Sequence, residues 1–336
     1  MCITCVEKVG YSVEKRVESV DKHPFEGWVL VVCNPVSGLG RGLERLGVVR
    51  RAFDVRGVTY KAETTSRQGD AARLAYSASR AGCSAVVVIG GDGTLFEVVN
   101  GVMGFADPEA AQHALSPVAV GLVQAGRGSD FGRSIGVPSD VEAACDRLLA
   151  GRTRTIDLGH VTYTAFSGKP RARYFINAAG MGFDAEVAMR SNVAPRVFGG
   201  TVPYLSSLLT TLVTYRNKRL SVRVDKGEAR QARANSIVIA NGQYFGGGMK
   251  IAPDAELSDG LFDVATLGDL GKIDLVRNVP RVYDGSHITH PKVDVLRAYQ
   301  VEINSPDRLL LQADGEVLGT APARFTVIPG AIRLIV

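Results

Sequence analysis

The first half of the chain alternates continuous apolar runs with segments of helical periodicity. The runs are short and rich in valine, as in buried strands, and the segments between them repeat apolar positions every three or four residues, as in amphipathic helices. The predicted strands cover 27–33, 57–63, 84–89 and 117–123, and the predicted helices cover 42–53, 66–82, 95–103 and 139–151. In the last helix, Ser139 and Glu142 predict a capping box. The alternation predicts a doubly wound α/β domain, in which helices cover both faces of a parallel sheet.

From about residue 152 the pattern changes to short apolar stretches separated by Gly, Pro, Asn and Asp. These stretches predict strands at 153–161, 171–179, 219–225, 234–241, 261–267, 300–304, 308–314 and 324–330. Few long helices separate them, so we expect an antiparallel β-sandwich. The predicted organisation is an N-terminal extension (1–26), the α/β domain (27–152) and a β-rich domain (153–336). A return of the last strands to the first domain is left open.

One segment, 197–215, has no charged residue, but its glycines and Pro203 make it a poor membrane span. A helix from about 203 to 215 fits it better, with a stripe of leucines at Leu205, Leu208, Leu209 and Leu212. This helix either packs in the core or walls a site for an apolar ligand.

Composition narrows the function classes only slightly. A net charge of +5 without long runs of like charge gives no support to nucleic-acid binding. The cysteines are few and scattered, which is typical of the cytoplasm, and the Cys2–Cys5 pair lacks the further ligands of a zinc site. Glu7 and Lys8 interrupt the apolar core that a secretion signal would need. We therefore expect a cytoplasmic protein.

Glycine-rich segments follow three of the predicted parallel strands, at 33–42, 90–94 and 123–134. Since the carboxyl ends of parallel strands share one sheet edge, we expect these corners to converge there and to present main-chain N–H groups to a phosphate. Asp92 would repel a phosphate, so it must hold a metal ion, a ribose hydroxyl or a catalytic proton. A plain structural turn is the alternative for a single corner. The usual dinucleotide and Walker motifs do not occur.

Several motifs resemble the diacylglycerol kinase catalytic-domain family, which includes bacterial diacylglycerol kinases, sphingosine kinases and ceramide kinases. They are NPVSG (34–38), GGDGTLFEVVNG (90–101), GRGSDFGRSIGVP (126–138), NGQYFGGGMKIAPDAELSDG (241–260) and ADGE (313–316). They occur in the family's order and span residues 28 to about 330. The resemblance implies a kinase that uses ATP and Mg²⁺ to phosphorylate a lipid hydroxyl in the cleft between its two domains. It does not select the lipid.

By this resemblance, the residues that contact ATP are Asn34, Pro35, Ser37, Gly38, Thr65, Gly91, Asp92, Gly93, Thr94, Glu97, Arg127 and Asp130. Many members have threonine in place of Arg127, and an arginine there could hold phosphate through two N–H groups. Asp92, with Asp130 through water, would hold Mg²⁺ at the phosphates. Either Asp314 or Glu316 would accept the proton of the lipid hydroxyl.

The resemblance also implies a structural Mg²⁺ bound by Asp259 and by the main-chain oxygens of Glu256 and Leu261, although a plain turn is the alternative. The expected partner is a lipid at a membrane surface, reached by reversible docking of the predicted helix at 203–215. Basic residues flank that helix: Arg196, Arg216, Lys218 and Arg219. A homodimer is left open. The alternative functions are phosphorylation of a soluble substrate, as in NAD kinases, and lipid binding without catalysis.

Overall fold

A computed structural model describes residues 24–104, 115–125, 129–193 and 201–336, without the side chains of 192–193 and 201–205. The strands are β1 Val29–Cys33, β2 Tyr60–Thr64, β3 Ala85–Gly90, β4 Ala119–Gln124, β5 Thr153–Ala165, β6 Pro170–Phe175, β7 Ala178–Gly182, β8 Lys218–Val224, β9 Arg230–Ala234, β10 Ser236–Ala240, β11 Phe262–Leu267, β12 Val293–Ala298, β13 Gln300–Asn304, β14 Leu310–Ala313 and β15 Glu316–Ile335. The helices are α1 Ser37–Gly40, α2 Gly42–Val55, α3 Asp70–Arg80, α4 Asp92–Val102, α5 Asp130–Ser134, α6 Val141–Ala150, α7 Phe183–Val193, α8 Thr201–Thr214 and α9 Lys272–Asp284, with a 3₁₀ turn at Ser286–Thr289.

The first half forms a parallel sheet in the order β4-β3-β1-β2. Side chains alternate between its two faces, because successive residues of a strand point in opposite directions. One face, with Leu30 and Val86, packs against α3 and α4, and the other face, with Val31 and Val87, packs against α2 and α6. Both faces are therefore buried, which explains why β1 and β3 are apolar along their whole length.

The second half is largely antiparallel, and the long strand β15 connects it to the first. β15 pairs with β5, β13 and β14 in antiparallel fashion, and its end at Arg333 and Leu334 pairs with β4 in parallel. The aromatic rings of Phe175, Phe262 and Phe325 pack together in the core of this half. The predicted fold class, a doubly wound α/β domain followed by an antiparallel β-rich domain, is confirmed.

Local structure corrects some sequence predictions. The capping box at Ser139 is wrong, because α6 is capped one residue later by Asp140, whose side chain accepts the N–H of Ala143 (2.9 Å). The strand predicted at 171–179 is interrupted between β6 and β7, where three consecutive N–H groups turn toward Asp314. The strands β9 and β12 and the helix α9 were not predicted.

Two helices matter for the site. The predicted leucine-rich helix is α8, and α9 carries apolar residues at helical spacing that remain exposed at Ile273, Val276 and Tyr283. Among helices of the described ranges, none has both the length and the apolar character needed to cross a membrane.

The close packing of α3 on α4 depends on Gly101. A Cβ atom at this position would collide with the carbonyl oxygen of Ala72. We expect Gly101→Ala to lower the free energy of unfolding by about 1–3 kcal/mol, because this backbone contact leaves no room for a methyl group. Urea unfolding measures the effect.

Gly47 provides a matched control in the interior of α2. A Cβ there meets only the end of the flexible Arg51 side chain, at 3.7 Å. Gly47→Ala should therefore stabilise the protein by up to about 1 kcal/mol, since alanine has the higher helix propensity. Equal stability of the two variants would contradict the packing argument.

Candidate active site

A polar cavity of about 580 Å³ lies at the carboxyl ends of β1, β2 and β3. Predicted ATP-contact residues line it: Asn34, Pro35, Ser37, Thr65, Gly91, Gly93, Thr94 and Glu97. Gly38 lies in the adjoining turn with a left-handed φ of 61°. Arg127 lies outside the described residues. The cavity is also lined by Ser66, Arg67 and Gln68, which the motifs did not indicate.

Hydrogen bonds connect the loops that form the walls of the polar cavity. Asn34 donates from Nδ2 to Thr94 Oγ1 (3.2 Å), which ties the end of β1 to the GGDGT turn. Glu97 accepts the N–H groups of Gly69 (2.8 Å) and Ala71 (3.1 Å) at the start of α3. Although Glu97 lines the cavity, its carboxylate thus serves to fix the α3 corner.

A second, apolar cavity of about 600 Å³ lies in the β-rich half. Its apolar lining residues come from α7, α8, α9, the segment between β10 and β11 and the strands beneath, and include Val187, Leu208, Leu209, Leu212, Val238, Phe245, Met249, Leu275, Val279 and Tyr283. Leu208, Leu209 and Leu212 belong to the predicted leucine stripe; the side chain of Leu205 lies outside the described residues. The polar lining residues include four carboxylates, at Asp92, Asp130, Asp184 and Asp314.

The two cavities meet at two turns. In the GGDG turn, Gly91 and Gly93 line the polar cavity and Asp92 lines the apolar one. In the turn between β14 and β15, Asp314 lines the apolar cavity and Glu316 the polar one. The structure therefore brings the predicted catalytic residues together at the boundary between a polar and an apolar space.

Asp92 carries the carboxylate of the GGDG turn. It accepts N–H groups from Asp130 (3.0 Å) and Phe131 (3.3 Å) and lies 3.4 Å from the hydroxyl of Ser129. Burial, reinforced by the carboxylates of Asp130 and Asp314, raises its pKa to about 7. A group with this pKa changes its charge readily near neutral pH.

Asp130 forms hydrogen bonds with the β-rich half of the molecule. Its carboxylate accepts the N–H groups of Gly247 (2.8 Å) and Gly248 (2.7 Å), and Arg133 lies 3.2 Å from it. Gly247 and Gly248 have left-handed φ angles and belong to the loop that walls the apolar cavity. Asp130 thus joins α5 to this wall. The motif indicated a nucleotide contact, but the carboxylate lines the apolar cavity.

Asp314 and Glu316 have different surroundings. Asp314 accepts the N–H groups of Ile176 (2.8 Å), Asn177 (3.0 Å) and Ala178 (3.0 Å), and its pKa is raised to about 6 because the group is buried. Glu316 accepts a hydrogen bond from Gln68 Nε2 (2.9 Å). The carboxylate of Asp314 is therefore engaged by the main chain, and that of Glu316 faces the polar cavity.

The carboxylates around Asp92 fit a cation that arrives with a nucleotide. Magnesium is usually bound by one or two carboxylates, with phosphate oxygens and water in the remaining positions. Within the described ranges, no three His, Cys, Asp or Glu side chains are grouped to hold one ion.

The predicted structural Mg²⁺ site has a different partner. One carboxylate oxygen of Asp259 accepts the N–H of Leu261 (3.0 Å), and the other contacts the guanidinium of Arg297. The contact with Arg297 is an ion pair, and the same oxygen of Asp259 is buried without a hydrogen-bond donor among the described residues. The binding of Mg²⁺ by Glu256, Asp259 and Leu261 stays a prediction.

Comparisons with known proteins agree with these observations. Residues 28–161 match the model of the diacylglycerol kinase catalytic domain, and residues 177–336 match the YegS C-terminal NAD kinase beta sandwich-like domain. The chain is 31% identical to a diacylglycerol kinase of Staphylococcus carnosus over 88% of this chain and 90% of that protein. It is 27% identical to a diacylglycerol kinase of Bacillus subtilis over 91% of this chain and 95% of that protein.

Among solved structures, one similar fold is that of a putative diacylglycerol kinase from Bacillus anthracis. Its TM-score is 0.73 at 21% sequence identity, and the match covers 95% of this chain and 97% of that one. This likeness supports the arrangement of the two halves of the fold.

Proposed function

The chain belongs to the diacylglycerol kinase catalytic-domain family, and from that premise we propose that it transfers the γ-phosphoryl group of ATP to a hydroxyl group of a lipid. The observation that carries the proposal is the meeting of a polar and an apolar cavity at Asp92 and at the turn before Glu316. A charged donor and an apolar acceptor need such different surroundings on the two sides of one reacting bond.

The polar cavity suits the phosphates of ATP. Gly91 and Gly93 expose main-chain N–H groups at the start of α4, and the positive end of a helix favours an anion there. Mg²⁺ enters as part of the nucleotide substrate and supplies positive charge to the transferring group. Asp92 is the carboxylate that we assign to this ion, since a cation would offset the cost of its burial.

The apolar cavity suits the hydrocarbon part of the acceptor. Its walls are built from aliphatic and aromatic side chains, so a lipid with its hydroxyl at the Asp92 end would bury its chain against α8 and α9. We assign the role of proton acceptor to Glu316, because the main chain already occupies the carboxylate of Asp314.

We further propose that the enzyme reaches its lipid by docking on a membrane surface. The helices α8 and α9, which wall the apolar cavity, carry apolar side chains that are more than half exposed, at Leu209, Val213, Ile273, Val276 and Tyr283. Beside these helices lies a cavity of about 410 Å³ whose charged lining has an excess of cations: Arg216, Arg233, Lys272 and Lys292, with the carboxylates Asp269 and Asp274. Apolar side chains beside cations match a bilayer with anionic head groups.

The basic residues named from the sequence differ in their suitability for docking. Arg216 is exposed and lines the cavity of about 410 Å³, and Lys218 lies over the ring of Tyr215. Arg219 instead forms an exposed ion pair with Asp307 (3.0 Å), so its reversal would break this pair as well as change the surface charge. Arg196 lies outside the described residues.

Reversal of the charge of Arg216 should therefore weaken membrane binding without unfolding the protein. Since each basic residue near an anionic surface contributes about 1 kcal/mol, Arg216→Glu should reduce binding by roughly tenfold or more at low salt. Co-sedimentation with vesicles of phosphatidylcholine and phosphatidylglycerol measures it. Arg56→Glu is the matched control, because Arg56 follows α2 at the opposite edge of the sheet. Equal loss in both variants would contradict the docking surface.

The function itself is tested with radiolabelled ATP and Mg²⁺. Diacylglycerol, sphingosine and ceramide are offered in mixed micelles, and NAD is offered in solution. Label in a lipid product supports the proposal. Label in NADP would indicate a kinase of a soluble substrate, and lipid binding without transfer would indicate a non-catalytic protein.

A further inference from the structure

The buried side chain of Gln312 connects the apolar cavity to the turn that carries Glu316. Gln312 lies near the end of β14, and its Nε2 donates to Asp184 Oδ2 (3.0 Å). Its Oε1 accepts the N–H of Gly315 (2.9 Å). Asp184 and Gln312 line the apolar cavity, whereas Glu316 lines the polar one. The amide group of Gln312 thus connects Asp184, on the apolar cavity, with the turn that precedes Glu316, on the polar cavity.

The carboxylate of Asp184 determines which way this amide points. The N–H of Gly315 can only donate, so the oxygen of Gln312 faces it, and the NH₂ group faces an oxygen of Asp184 that accepts its hydrogen bond. The hydroxyl of Ser236 donates a hydrogen bond to the other oxygen of Asp184. Asp184 therefore holds Gln312 in the one orientation that satisfies the N–H of Gly315.

The local backbone makes room for this contact. A Cβ atom at Gly180 would collide with the carboxylate of Asp184 and would lie 2.9 Å from Gln312 Nε2. Gly180 pairs with Gln312 across β7 and β14, so the glycine lies directly beside the amide. The approach of Asp184 to Gln312 thus depends on a glycine in the neighbouring strand.

The turn that Gln312 holds has an uncommon backbone. Asp314 and Gly315 have φ angles of 47° and 86°, and left-handed residues at both positions are typical of a two-residue hairpin turn. Glu316 is the first residue of β15 and follows this turn directly. A change at Gly315 therefore changes the direction in which Glu316 enters the strand.

We propose that Gln312 is a positioning residue that aligns Glu316 with the acceptor hydroxyl, and that Asp184 sets its orientation. This inference rests on the proposed function. It assigns to Gln312 and Asp184 an effect on the rate of transfer, and none on the affinity for ATP, because neither residue lines the polar cavity.

The first test is Gln312→Met, which keeps an unbranched side chain but removes both hydrogen bonds. At saturating lipid, kcat should fall about 10- to 100-fold, as a small misalignment of a catalytic group costs that much, with the KM for ATP unchanged. Hydrogen exchange of the peptide around Gly315 should become faster in the same variant. Gln300→Met is the matched control, since Gln300 is a strand glutamine that bonds Arg324 (2.8 Å) away from both cavities.

The second test is a double-mutant cycle. Asp184→Asn should lower kcat less than Gln312→Met does, because an asparagine can face either end of the amide. If Asp184 acts through Gln312, the double variant should be no slower than Gln312→Met alone. Should Gln312→Met fail to fold, Asp184→Asn, which keeps its shape, provides the kcat measurement alone.

Three results would overturn the inference: wild-type kcat in Gln312→Met, wild-type kcat in Asp184→Asn, or independent losses that multiply in the double variant. Failure of the proposed function is seen separately, as absence of lipid phosphorylation by the wild-type protein. The exchange rate around Gly315 reports the hydrogen bond whether or not transfer occurs.

Discussion

Replacement of Asp92 by asparagine should reduce kcat by about three orders of magnitude or more, because the loss of a charge at the transferring phosphate removes several kcal/mol of transition-state stabilisation. The asparagine oxygen can still accept the N–H of Asp130 at 3.0 Å, the shorter of the two main-chain contacts, and only the longer contact, with the N–H of Phe131 at 3.3 Å, is lost. The start of α5 should therefore stay in place. The assay is transfer from labelled ATP to the preferred lipid.

The same substitution should leave the melting temperature at pH 8 equal to that of the wild type or higher. Burial raises the pKa of Asp92 from 3.8 to about 7, so the fold favours the protonated carboxyl group. Its contribution to stability is complete below pH 4 and is lost as the pH rises through 7, a change of about 4 kcal/mol. Asparagine carries no charge and has no such dependence.

The stability difference between the Asp92→Asn variant and the wild-type protein should therefore grow between pH 5 and pH 8. Thermal unfolding at several pH values measures it, with Asp146→Asn as control because Asp146 is an exposed carboxylate of α6. If the Asp92→Asn variant retained its activity, the assignment of Asp92 to the active site would be wrong. A melting temperature that falls at pH 8 would show that its carboxylate stabilises the fold.

The sequence predicted those parts of the fold that local patterns determine. The valine runs of β1 and β3 are apolar throughout because both faces of a parallel strand are buried, and each was found near its predicted place. The contact between Asn34 and Thr94 joins residues 60 positions apart. It could still be anticipated, since glycine corners at parallel strand ends share one edge of the sheet.

Other features depend on contacts that no local pattern contains. Asp130 binds the N–H of Gly247, 117 positions away, and the motif alone did not indicate which cavity it would line. Gln312 meets Asp184 across 128 positions, and a single glutamine in a strand carries no signal of such a partner. For α9, the spacing of Ile273, Val276 and Tyr283 was a helical signal, but Pro280 within the segment obscured it.

The choice of proton acceptor leads to a second large effect. Glu316→Gln should lower kcat by about 10²- to 10⁴-fold, the usual contribution of a general base, because an amide cannot take up the proton of the hydroxyl. Its oxygen can still accept the hydrogen bond from Gln68, so the melting temperature should not change. Transfer to the lipid and thermal unfolding are measured on the same preparation.

Asp314→Asn should instead lower the melting temperature more than it lowers kcat. The carboxylate of Asp314 accepts three N–H groups, from Ile176, Asn177 and Ala178, and an asparagine would turn its own donor toward at least one of them. The loss of hydrogen bonds to a buried charged group costs about 1.5–3 kcal/mol each. Removal of the buried charge, whose burial raises the pKa of Asp314 to about 6, offsets part of this cost, so the melting temperature should fall by a few degrees. If Asp314→Asn instead kept its stability and lost all transfer while Glu316→Gln stayed active, the proton acceptor would be Asp314. A base at Asp314 would have to release main-chain N–H groups before it could take the proton, whereas Glu316 already faces the polar cavity beside the exposed side chain of Gln68.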